Sequence, residues 1–118
     1  MEHEELILDT VGSLKEFLPK IASACLSIAE ELRDNNESEA MKQINQFTDA
    51  VDWSIQAING IKSLNYPLDI NTTGINEFLI EAQEGLEAND LVIVADMFEY
   101  EILPQIENWL QEVQAITH

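Results

Sequence analysis

A chain of 118 residues with 46% hydrophobic and 24% charged positions has the size and apolar share of one folded domain, which excludes a disordered tail and leaves no room for a second core. Five Lys and Arg against 23 Asp and Glu give a net charge of −18, which excludes nucleic acid and anionic membrane as partners because both would repel it. With only 4 Gly and 3 Pro the chain is poor in turn-formers, so its elements must be long, and abundant Leu, Ile, Ala, Glu and Gln make them helices.

The opening residues, Met1-Glu2-His3-Glu4-Glu5, have the wrong sign for a secretory leader, and no apolar run reaches the roughly 18 residues that span a bilayer. A cytoplasmic address is expected. From Glu4 to about Arg33, Ile7, Val11, Leu14, Leu18, Ile21, Cys25, Ile28 and Leu32 follow an alternating four-three spacing, the signature of a heptad seam on one helix. Pro19 lies inside it and predicts a kink, since the seam continues in phase on both sides. Cys25, alone of its kind, sits in the seam as a small buried residue and suits a reducing compartment.

Asp34-Asn35-Asn36-Glu37-Ser38 is turn material in which Asn36 or Ser38 caps a second helix. That helix runs to about Leu64 and buries Ala40, Ile44, Phe47, Val51, Ile55, Ile58 and Ile61. The longest loop, Asn65 to Thr73, contains Pro67 and ends in Asn71, Thr72 and Thr73, any of which can cap the third helix. This third helix, about Gly74 to Ala88, turns Ile75, Phe78, Leu79, Ala82 and Leu86 inward. Asn89-Asp90 ends it and caps a fourth, about Leu91 to Ile116, which buries Leu91, Ala95, Phe98, Ile102, Ile106, Trp109, Val113 and Ile116 and is predicted to kink at Pro104. The fold expected is all-α: a single domain over residues 1–118 forming an antiparallel four-helix bundle with up-down-up-down order, kinked at Pro19 and Pro104.

Chemistry is sparse. Di-metal bundles need Glu-x-x-His pairs on facing helices, and His3 and His118 stand at the two ends with no Glu three positions before them. Asp69-Ile70-Asn71-Thr72-Thr73 has calcium-like spacing but lacks the loop's glycine and terminal glutamate, so it is a helix cap. No phosphate loop, nucleophile elbow or Cys-x-x-Cys pair can be assembled, so neither an enzyme nor a cofactor is expected. The best acidic cluster is Asp96, Glu99 and Glu101, with Glu99 on the side of Ala95 and Ile102; it supports an alternative reading as a metal- or small-ligand-binding bundle. The bland reading is a flanking carboxylate bonded to a neighbouring hydroxyl, amide or cation.

Partner surfaces show as large apolar residues off the core stripe. Trp53 lies about 160° from Val51 in helical projection, and is either covered by Tyr66-Pro67-Leu68 or part of an interface. Ile93, Met97, Tyr100 and Pro104 form a second line on the fourth helix, nearly opposite its seam. These five residues are the candidate partner-binding set. They point to a non-enzymatic binding protein, homodimeric or gripping a helical or basic protein client, as a chaperone or adaptor does. A third reading, an acidic mimic filling a basic groove, rests on net charge alone.

The run from Leu86 to Pro104, with Ala88-Asn89-Asp90-Leu91-Val92, Ala95-Asp96 and Glu99-Tyr100-Glu101-Ile102-Leu103-Pro104, resembles a pattern in uncharacterised small helical proteins of low-GC Gram-positive bacteria. The resemblance implies a helical bacterial protein and transfers no site residues. In size, acidity and helix content the chain is also similar to flagellar and type III export chaperones, which hold one helical client segment.

Overall fold

The computed structural model describes residues 4–116, and all secondary structure among them is helical. α1 spans Glu4–Arg33, α2 Glu37–Ser63 and α3 Gly74–Glu87; a composite fourth helix consists of α4 (Leu91–Asp96), a π-helical segment (Met97–Ile102) and α5 (Leu103–Gln114). His3 and His118 lie outside the described residues.

α1 organises the molecule. All eight residues of its heptad seam are buried, joined by Ala29, and the α-helical run continues through Pro19. The helix packs along α2 on one side and along α4, the π segment and α5 on the other, while α3 packs on α4 and the π segment. The principal extents, 50 × 22 × 19 Å, follow from this: a 30-residue helix is about 45 Å long, so α1 alone sets the long axis.

Helix ends use asparagine where glycine is common. Asn35, Asn65 and Asn89 have φ of 57°, 62° and 58°, and none of the four glycines has positive φ. The left-handed residue lets the following N–H turn back on the helix: Asn36 N–H donates to Glu31 O at 2.9 Å and Asp90 N–H to Gly85 O at 2.8 Å. Asp90 then caps α4, its carboxylate accepting from Ile93 N–H at 3.2 Å. Asn36 occupies the N-cap position of α2 without a side-chain cap bond, its amide donating instead to Glu31. The long loop folds inward, burying Leu68, Ile70 and Thr72. Lys62 Nζ donates to Ile70 O at 2.7 Å and Thr72 Oγ1 to Asn59 Oδ1 at 3.3 Å, pinning the loop to the end of α2.

The fourth helix changes pitch just before its proline. Pro104 brings no N–H and, in an α-helix, its ring would crowd the carbonyl four residues earlier, that of Tyr100. In the π segment bonds reach back five residues: Leu103 N–H donates to Phe98 O, and Pro104 falls in the first turn of α5, where a missing donor matters least.

Core membership follows the helical seams with local exceptions. Ser54 is buried on α2, its hydroxyl returned to Ala50 O at 2.9 Å, whereas Ile44 and Ile55, expected in the core, are half-buried. On α3, Ile75, Ala82 and Gly85 are buried, and Phe78, Leu79 and Leu86 pack at its edge. Gly85 marks a close crossing, since a Cβ there would lie 2.7 Å from Val94 Cγ2.

Candidate partner-binding surfaces

A groove runs between α1 and α2. Each helix carries a second heptad register beside its core seam. On α1 it runs Leu6, Thr10, Ser13, Phe17, Lys20, Ala24, Ser27; on α2 it runs Gln46, Ala50, Trp53, Ala57, Gly60 and on to the C-cap Leu64. These residues line successive hollows along one side of the hairpin, of about 290, 620 and 570 Å³. At the centre the Phe17 and Trp53 rings meet edge to face at 5.2 Å, and both remain partly open to solvent, Trp53 at 42%.

This places Trp53, which the sequence singled out, and adds Phe17, Lys20 and Leu6, which it did not. The signal was present as a second four-three spacing, but four of its seven α1 positions are Thr, Ser or Lys. Those side chains read as an ordinary solvated face until α2 is laid beside them.

The groove also collects cations. Of five Lys and Arg, Lys15 donates to Ile116 O at 2.8 Å, Lys62 is tied to the loop, and Arg33 is paired to acids. Lys20 and Lys42, lining the groove from α1 and α2, hold no hydrogen bond or ion pair to the described residues. Glu16, Glu39 and Asp49 line it too, so the face mixes both signs on an otherwise acidic molecule.

The line expected on the fourth helix is only partly a surface. Ile93 and Tyr100 are 51% and 62% exposed, Pro104 is exposed, and Val92 joins them at 65%. Met97 leaves the line, since it is buried. The physical reason is that the fourth helix is flanked by both α1 and α3, so its buried arc widens beyond the seam to take in Val94 and Met97. Met97 therefore belongs to the chain's own core.

Between these surfaces lies a clasp. Arg33, at the end of α1, donates to Asp96 at 3.1 Å and to Glu99 at 2.5 Å. Glu99 is thus a half-buried flank carboxylate with a cation partner, and its pKa is held below the usual carboxylate value, first by the Arg33 bond and then by a bond from Tyr100. The same bond raises the Tyr100 phenol. Glu101 is exposed and outside the clasp, so the three acids of the alternative metal reading do not converge, and two of them already serve a guanidinium. Asn71, in the calcium-like stretch, accepts from the Thr73 amide at 2.9 Å and from its hydroxyl at 2.6 Å, a turn bond at the start of α3.

Two buried groups complete the inventory. Cys25 is inaccessible, and burial, reinforced by Glu107, pushes its thiol pKa up to about 12. Trp109 is fully buried with its Nε1–H unbonded.

Comparison with known proteins returns one finding. A family model described as a domain of unknown function, DUF8042, matches residues 9–112. No curated protein and no solved structure matches the chain. The match extends far beyond the Leu86 to Pro104 run and takes in both faces of the hairpin groove.

Proposed function

The chain belongs to the DUF8042 family, and from its geometry we propose that it is a non-enzymatic partner-binding module that receives a helix in the α1/α2 groove, in the manner of an adaptor or chaperone. One observation carries this reading: two parallel heptad stripes on adjacent helices, open to solvent, with Phe17 and Trp53 at their centre. A third helix laid between such stripes meets knobs and holes at the same period on both sides. The aromatic pair supplies an anchor of the kind that dominates binding energy.

For the architecture beneath it we propose the up-down-up-down bundle, bent at Pro19 and Pro104. Supporting it, Phe17 meets Trp53 and Ser27 meets Gln43, so α2 descends as α1 ascends; Arg33 meets Asp96 and Lys15 meets Ile116, so the fourth helix does likewise. We place the protein in the cytoplasm, where a lone buried thiol needs no partner; no helix among the described residues is long and apolar enough to cross a membrane.

The test uses the two tryptophans. Trp109→Phe leaves Trp53 as the single indole, and replacing a buried residue whose donor is unsatisfied offsets part of the volume lost, so a cost of about 1 kcal/mol is expected. A synthetic amphipathic peptide with a leucine heptad and mixed flanking charges should shift Trp53 emission to the blue. It should fail to do so when Phe17→Glu is added. Unchanged Trp53 emission across the peptide titration would sink the reading.

A further inference from the structure

We infer that the occupant of the groove is the α1/α2 hairpin of a second copy of this chain, the two packing face to face about a two-fold axis in the plane of the groove. The inference rests on the groove being a helix-binding surface and specifies its partner. The first argument is charge. A molecule of net −18 repels itself over most of its surface, and the last 56 residues carry eleven acids and no Lys or Arg. The hairpin face is the exception: it brings Lys20 and Lys42, the two lysines that hold no bond to the described residues, alongside Glu16, Glu39 and Asp49. Two such faces brought together satisfy lysines of one copy with carboxylates of the other, so this is where self-association meets least repulsion and gains complementary pairs. The fourth helix, where Tyr100 and Ile93 are exposed, would instead set acids against acids.

The second argument is shape. The Phe17–Trp53 pair stands at the centre of the groove, with Leu6 and Leu64 at one end. Toward the other end α1 presents Ser23, Ala24 and Ser27, and α2 presents Glu39, Lys42 and Gln43. A two-fold axis that lies in the face and passes through the aromatic pair sets the Phe17 and Trp53 edges of one copy against those of the other. An isologous contact requires such self-complementarity.

Sedimentation equilibrium or light scattering on the full chain decides it. The expected result is a dimer whose population rises when low salt is replaced by moderate salt, as screening relieves the repulsion between two acidic bodies. Phe17→Glu and Trp53→Glu should each weaken it by roughly a hundredfold or more, and Lys20→Glu with Lys42→Glu by roughly tenfold. Tyr100→Glu should leave it unchanged. Circular dichroism checks that each variant keeps its helices, and Phe17→Ser repeats the test with a milder change should Phe17→Glu lose them. A monomer at every concentration, a dimer indifferent to Phe17 and Trp53, or one lost on Tyr100→Glu would overturn the inference. A monomer that still takes the synthetic helix at Trp53 would overturn it while leaving the groove reading intact; one that takes neither overturns both.

Discussion

Arg33 shows how one cation shapes a corner of an acidic molecule. Its guanidinium reaches two carboxylates one helical turn apart, Asp96 and Glu99, and so fastens the end of α1 to the start of the π segment. Because Arg33 lowers the Glu99 pKa in the folded state, the pair's contribution is complete above the usual carboxylate pKa and is lost as pH falls through the lowered one. Glu99→Gln should therefore be less stable than wild type near neutrality, and the gap should close well below pH 4.5, the ordinary Glu value. Urea midpoints at the two pH extremes check this; a gap that stays constant would show that Arg33 does not act through the Glu99 charge. At this scale the sequence was informative about Glu99, which it placed on a flank needing a partner. It was silent on which partner, because Arg33 is 66 residues away along the chain and only the fold joins them.

Among the elements, strict periodicity decided what could be read beforehand. The α1 seam was legible residue by residue because eight apolar positions repeat without error, and the burial observed matches them all. Legibility failed where burial depends on a neighbour. Met97 is covered because α3 lies beside it, Ser54 displaces Ile55 from the core of α2, and Leu68 and Ile70 leave the loop for the interior once Lys62 holds it there. The glycines provide a test of these contacts. Gly12→Ala meets open space and should stabilise the protein by about 0.5–1 kcal/mol through helix propensity. Gly85→Ala drives a methyl against buried Val94 and should destabilise it by about 1–3 kcal/mol despite the same propensity gain. Thermal denaturation of the pair gives opposite signs if α3 and α4 cross as described, and equal signs if they do not.

For the whole molecule, charge is the governing quantity. A net −18 confined within 50 × 22 × 19 Å repels itself, and only five cations temper it, three of them fixed to acids or carbonyls. Screening should accordingly raise the melting temperature by several degrees between low and moderate salt, measured at a concentration low enough to keep the chain monomeric so that association does not contribute. A melting temperature independent of salt would mean that the repulsion is already relieved within the fold. The same imbalance underlies the expectation that nucleic acid and anionic lipid are not partners, yet it did not identify a partner. The two lysines proposed to serve recognition are a small fraction of the total, and among the described residues they stand out only once the other three cations are seen to be engaged.

The widened turn at Met97–Ile102 has an evolutionary corollary. Six residues at the looser pitch of roughly 4.4 per turn sweep nearly the same angle as five in an ordinary α-helix, so the segment absorbs a supernumerary position where it stands and passes the original phase on to Trp109 and Val113. A residue gained here would leave the downstream seam nearly in phase. A codon gained or lost further along, inside α5, has no such absorber and would swing the downstream seam about 100° toward water.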